Sequence, residues 1–127
     1  MGNDGLPFRL LDDRPSHVFV AERESQRIRK IDTDGFVTTL AGSGNGGYRD
    51  GVGIFTAFNN PRGIVADAVG NVYVGDDGNH LIRRITPEGS VSTFAGTFAR
   101  GGYQEGIGTN TVLNSLESLA IDKLGNI

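Results

Sequence analysis

Apolar residues along this chain come in short runs, many of them β-branched, and polar or glycine-containing turns bound each run. Val18–Ala21, Ile28–Ile31 and Phe36–Ala41 form one set, and Val72–Gly75, Ile82–Ile85 and Ser90–Ala95 form a second. Runs of this length and composition read as β-strands. Within Val72–Tyr73–Val74 the apolar groups point both ways, because successive side chains alternate faces. A sheet made of such strands must be covered on both sides. Between the last two runs of each set lie Thr33–Asp34–Gly35 and Pro87–Glu88–Gly89, where Gly35 and Gly89 supply the positive φ of a tight hairpin. A fourth strand is expected ahead of each set: Phe8–Asp13, Gly63–Asp67 and, leading toward Ile127, Ser118–Asp122. No helical period of useful length occurs.

The two sets are copies. Val18–Gly42 returns as Val72–Gly96, 54 positions further on (18 to 72). The glycine-rich stretch Gly46–Gly53 returns as Gly101–Gly108, now 55 positions on (46 to 101), so the second connecting loop carries one extra residue. A repeat of this length marks a stacked supersecondary unit. Each unit reads as four short antiparallel strands followed by a long glycine-rich crossing loop. Four-stranded sheets stacked radially, each covered on both faces, are the blades of a β-propeller. A two-sheet sandwich is the other all-β candidate, but it predicts cleaner apolar/polar alternation and no such echo.

Composition narrows the function more than the fold. The 127 residues carry a net charge of −3 and are 21% charged, with no basic stripe to favour nucleic acid. Twenty glycines against four prolines fit many turns between strands. With no cysteine, a disulfide framework, a thiol nucleophile and Cys-ligated zinc are all excluded, and the compartment is left open. No run approaches the ~18 apolar residues of a membrane span, and the N-terminal stretch lacks the basic-then-apolar order of a signal peptide.

Candidate chemistry falls mostly on repeated positions. Arg29 and Arg83 recur between isoleucines; a buried arginine needs a partner, and the repeated acids Glu22/Asp76 and Asp50/Glu105 are the natural ones. This makes the two arginines structural instead of ligand-facing. Asp50 and Glu105 recur one per unit, a blade apart, which argues against a catalytic carboxylate pair. The repeated Tyr48 and Tyr103 are expected to pin their loops to the blade surface, helped in the first copy by Phe55 and Phe58. Asp67 and Asp122 end equivalent strands and are expected to bond turn amides. Asp76–Asp77–Gly78–Asn79 has a superficial calcium-loop look, but a hairpin turn accounts for every residue. His17 and His80 occupy different repeat positions and form no metal motif, no serine sits in a nucleophile elbow, and Gly42–Gly47 precedes no phosphate-binding helix. No catalytic residue, metal or cofactor is therefore expected.

Asn79–His80–Leu81, with Gly70–Thr97 around it, resembles the NHL repeat, and the loop Gly42–Asp67 is similar to the long-loop variety of that family. The resemblance runs from about Asp13 to Ile127. The first unit has Ser25–Gln26–Arg27 in place of the naming tripeptide, and the third has Leu116 and Ser118 in place of Pro61 and Gly63. The resemblance implies a six-bladed propeller, and roles that are mostly protein or RNA binding with a few enzymatic relatives. It divides the chain into a partial blade over 1–12, repeats over 13–67 and 68–122, and the start of a third repeat over 123–127. Because the copying stops in mid-unit, the chain reads as a segment of a longer ring. The alternative is self-assembly, three such chains supplying about six blades.

The expected function is non-catalytic recognition of a protein partner through inter-strand loops. The surface candidates are Arg23, Arg49, Asp50, Asp77, Arg100 and Glu105. RNA binding is disfavoured by the acidic balance. A hydrolase or lyase would need active residues from further blades.

Overall fold

The computed structural model describes residues 17–127. The strand expected over Phe8–Asp13, and with it the partial blade over 1–12, lies outside the described residues. Eight strands follow: β1 (Val18–Glu22), β2 (Arg27–Ile31), β3 (Val37–Ala41), β4 (Gly51–Val52), β5 (Pro61–Ala66), β6 (Val72–Asp76), β7 (Leu81–Ile85) and β8 (Ser90–Ala95). Short 3-10 turns occupy Gly53–Phe55, Asp77–Asn79 and Gly108–Asn110, and no α-helix occurs among the described residues. The fold is all-β and of propeller-blade type, in two sheets that do not close into a ring. The first blade has the order β1-β2-β3 and the second β4-β8-β7-β6-β5, with all neighbours antiparallel.

The hairpins form where the copied turns place them. Asp32 accepts the amides of Asp34 and Phe36 at 2.9 Å each, and Gly35 sits at φ +84°. Gly89 takes φ +89° at the equivalent turn. A side chain at either site would strain the backbone. Even the irregularities repeat: both blades carry a β-bulge immediately before the arginine, at Ile28/Arg29 and at Ile82/Arg83. A bulge re-aims the residue beside it.

Two parts of the chain depart from expectation. The long loop is not merely a crossing: Gly51 and Val52 pair with Val91 and Ser90, so β4 adds a fifth strand to the outer edge of the next blade. Ser118–Asp122 forms no strand. Its turn does form, with Asp122 bonding the amides of Leu124 and Asn126. A strand needs a ladder partner, and no described strand pairs with this segment.

The core lies between the blades. Val72, Val74, Ile85 and Val91 of the second sheet bury themselves against Ile28 and Ala41 of the first, with Phe58 from the loop closing one side. The opposite face of the second blade meets the chain beyond Val112; a Cβ on Gly75 would come within 2.5 Å of the Leu116 carbonyl, so only glycine allows that approach.

Candidate interaction surface

The loop 43–60 is held by one arginine. Register places Arg83 opposite Val74 and between Leu81 and Ile85, on the face that looks toward the first blade. It is fully buried. Its Nη1 donates to Asp76 Oδ2 at 2.7 Å and to the Ala57 carbonyl at 2.9 Å. Its Nη2 donates to Asp50 Oδ1 at 2.8 Å and to the Arg49 carbonyl at 3.0 Å. The guanidinium carbon lies 4.9 Å from the Tyr48 ring centre and 4.8 Å from that of Phe58. Nε finds no partner. A planar fork sandwiched between rings, with charge-assisted bonds to two acids, is the arrangement arginine suits and lysine does not.

Asp76 is the second member of this cluster and is likewise fully buried. It accepts the Asn59 amide at 2.7 Å and Asn79 Nδ2 at 2.7 Å, while Asn79 also donates to the Gly47 carbonyl at 2.9 Å. Burial pushes the Asp76 carboxyl up from its ordinary value, against the downward pull of Asn79, of the Asn59 amide and of the Arg83 charge. The cluster thus ties strands β6 and β7 of one blade to both arms of the loop that arrives from the blade before it. Tyr48 adds a hydroxyl contact to Thr93 at 2.9 Å and stacks on Phe98 at 4.5 Å.

The first blade holds the equivalent positions in a more open form, with Glu22 for Asp76 and Ser25 for Asn79. Arg29 reaches Glu22 at 3.0 Å, and Ser25 donates to the same carboxylate at 2.9 Å. These bonds from Ser25 and Arg29 hold the Glu22 carboxyl below its ordinary value. About 29% of the Arg29 side chain stays exposed, and its Nε too lacks a partner. Among the described residues no counterpart of Asp50 reaches Arg29.

The sequence-nominated surface residues do not gather into one site. Asp50 faces Arg83, and Asp77 accepts the Leu116 amide at 2.7 Å and approaches Arg62 at 3.8 Å, so both carboxylates serve the frame. Arg23 lies in the β1–β2 hairpin, 3.9 Å from Glu24. Arg49 and Arg100 are exposed, and Glu105 is exposed with only the Tyr103 hydroxyl on it. Tyr103 is 82% exposed, so it does not pin its loop as Tyr48 does. Asp67 and Asp122 each bond two turn amides and an asparagine side chain. They face a groove of about 370 Å³ between the two turns, with both carboxylates already occupied.

Sequence reasoning missed what the first loop displays. Phe58 is buried, but Phe55 is 71% exposed, and Val52 and Ile54 beside it also face solvent. Phe55 therefore does not pack the loop as expected. The role of Asn79 was missed as well, although its place beside a repeated acid was visible. Among the described residues no cluster of His, Asp or Glu is arranged to hold a metal, and no helix is long and apolar enough to cross a membrane.

Residues 58–85 match the family model described as NHL repeat. NHL repeat-containing protein 2 of Homo sapiens is 34% identical over 99 residues, covering 76% of this chain and 13% of its own length. Its counterpart in Bos taurus is 34% identical over 105 residues, covering 80% and 14%. Protein SUPPRESSOR OF QUENCHING 1, chloroplastic, of Arabidopsis thaliana is 36% identical over 119 residues, covering 86% and 11%. The chain thus spans about a seventh or less of the curated relatives it matches. Among solved structures, a structural genomics protein of unknown function from Bacteroides thetaiotaomicron superposes with TM-score 0.70 at 25% identity, over 83% of this chain and 26% of that one. An auxiliary nutrient binding protein from Bacteroides ovatus superposes with TM-score 0.69 at 25% identity, over 82% and 29%.

Proposed function

We propose that this chain, which belongs to the NHL-repeat family, acts without catalysis as a protein-interaction scaffold, with the loop 43–60 as its recognition element. The observation that carries this reading is a contrast within that loop. Its base is fixed by the buried Arg83–Asp76 pair and the half-exposed Asp50 that Arg83 also grips, while its outer turn presents Val52, Ile54 and Phe55 to solvent. Loops held by a rigid frame lose little entropy on binding. Exposed apolar side chains rimmed by polar ones suit a protein surface. The neighbour described as a nutrient binding protein uses a frame of the same kind. RNA binding has less support, because the exposed Arg23 is next to Glu24 and the chain is acidic overall.

Selection of a displayed random-peptide library on the wild-type chain tests the reading. Binders should lose about tenfold or more in affinity against a chain carrying Ile54→Asp and Phe55→Asp. Binders indifferent to that change, or no binders, would overturn it. Steeply salt-dependent RNA binding would replace it with the RNA reading.

A further inference from the structure

We propose that Asn45–Gly46, in the first long loop, is a site of self-modification, where the asparagine side chain closes on the next amide and leaves aspartate or isoaspartate. Among the described residues, four steps place an asparagine or aspartate before glycine: Asp34–Gly35, Asn45–Gly46, Asp50–Gly51 and Asp77–Gly78. The ring closes only where the glycine nitrogen is free to attack. Gly35 donates its amide to the Asp32 carbonyl at 3.0 Å, and Gly78 donates to the Asn59 carbonyl at 2.8 Å. Gly51 is held in β4 opposite Val91. The Gly46 amide has no hydrogen-bond partner among the described residues, and both Asn45 and Gly46 are exposed.

The surroundings of Asn45 favour the same reaction. The Ser43 hydroxyl accepts the Asn45 amide at 3.2 Å and donates to the Asn45 carbonyl at 3.4 Å. The second bond polarises the peptide whose nitrogen has to lose its proton. Other asparagines have committed side chains: Nδ2 of Asn71, Asn126 and Asn79 donates to Asp67, Asp122 and Asp76 at 3.0, 2.9 and 2.7 Å. The Asn45 side chain makes no such bond among the described residues. In the second loop Arg100–Gly101 stands at the position of Asn45–Gly46, and an arginine cannot form the ring. The chemistry therefore belongs to one loop of the repeat and not to the repeat itself.

The Gly46 nitrogen attacks Cγ of Asn45. The N–Cγ bond forms, the Cγ–Nδ2 bond breaks, and the amide proton leaves with Nδ2 as ammonia. Water then opens the five-membered imide. Opening at Cγ gives aspartate, and opening at the main-chain carbonyl gives isoaspartate, with one more carbon in the backbone. Either product adds a negative charge beside Gly44, on which the Arg27 guanidinium rests: a Cβ on Gly44 would come within 2.5 Å of Arg27 Nη2. Isoaspartate does more. Gly47 is pinned on the other side, its amide to the Phe58 carbonyl and its carbonyl to Asn79 Nδ2, both at 2.9 Å. A longer backbone between these two anchored glycines strains the seat of the loop and loosens it.

Peptide mapping by mass spectrometry tests this on the full chain, incubated over a time course in warm, mildly alkaline buffer, with isoaspartate detected by isoaspartyl methyltransferase labelling. Asn45 should react about tenfold or more faster than Asp34, Asp50 and Asp77 isomerise, the factor that one hydrogen bond on the attacking amide supplies. In denaturant the three aspartates should speed up and Asn45 should change little, because only their glycine amides are released. Asn45→Gln should abolish the reaction and Gly46→Ala should slow it, with unchanged melts; the nearest atom to a Cβ on Gly46 is Gln26 Nε2 at 3.3 Å. The aged chain should be cut faster by trypsin after Arg49 than the fresh chain or Asn45→Asp, since only isoaspartate lengthens the backbone. An Asn45 that stays intact in the folded chain while it reacts in denaturant overturns the proposal, and so does equal modification at the other asparagines. Equal cleavage of fresh and aged chains overturns the loosening of the loop. None of these measurements involves a binding partner, so the proposal stands apart from the scaffold reading.

Discussion

Arg83 and Arg29 occupy one position of one repeat, follow the same bulge and pair with equivalent acids, yet the first is sealed and the second is part open. Their own blades differ in the acid and in what bonds it, Asp76 with Asn79 against Glu22 with Ser25. The larger difference is the loop that arrives from the preceding unit: 43–60 closes over Arg83, and no such loop closes over Arg29 among the described residues. The blade is therefore not a self-sufficient unit. Each one completes the next, which is the nearest-neighbour coupling of repeat proteins reduced to a single side chain.

Removing each arginine should give the largest difference between the two blades. Arg83→Ala leaves Asp76 buried beside Asn79 with no counter-charge, and stability should fall by ~3–5 kcal/mol. Arg29→Ala leaves Glu22 able to reach water, and the loss should stay below ~1 kcal/mol. Denaturant titrations of the two variants measure both. Equal losses would show that the loop adds nothing to the arginine and that each blade stands alone.

How much of this was legible in the sequence follows from the same contrast. The pairing of Arg83 with Asp76 is local: seven residues apart on adjacent strands, copied at Arg29 and Glu22, and therefore visible as a repeat. So were the hairpins at Gly35 and Gly89 and the turn carboxylates Asp67 and Asp122. The depth of burial was not, because it depends on Ala57 and Arg49 arriving from far along the chain. For the same reason the pairing of Gly51–Val52 with β8 and the exposure of Phe55 were hidden. Phe55 and Phe58 look alike in a loop, and only the path of the backbone separates them. Ser118–Asp122 has the composition of a strand without a ladder partner, and composition alone does not report that.

Asn79 and Ser25 differ in the same sense with smaller energies. Both donate to the repeated acid, Asn79 to Asp76 and Ser25 to Glu22. Only Asn79 also holds the incoming loop, through the Gly47 carbonyl. Asn79→Ala should cost ~1–3 kcal/mol, since it strands buried polar groups, and Ser25→Ala well under ~1 kcal/mol, since Glu22 retains Arg29 and solvent. A double-mutant cycle of Asn79→Ala with Arg83→Met should show coupling of ~0.5–3 kcal/mol, because both act through Asp76. Zero coupling would mean that the cluster is a set of independent bonds.

The smallest effect is a difference in sign with pH. Burial, the leading influence on Asp67, raises its carboxyl, but the bonds from Asn71, Val69 and Gly70 outweigh it and hold the carboxyl below the ordinary 3.8. A depressed folded value stabilises above 3.8, and the contribution disappears as pH falls through the folded value. Asp76 runs the other way. Burial holds its folded value above 3.8, so ionisation weighs against the fold at neutral pH and is relieved as pH drops toward that raised value. Stability measured across an acid series should therefore decline less steeply below pH 3.8 in Asp67→Asn than in wild type. Above pH 3.8, wild type should gain a little on mild acidification that Asp76→Asn does not. Parallel curves for wild type and Asp76→Asn would mean that Arg83 and Asn79 fully offset the desolvation of Asp76. Its cluster would then be an ordinary ion pair that happens to be buried, with the loop serving only as a lid.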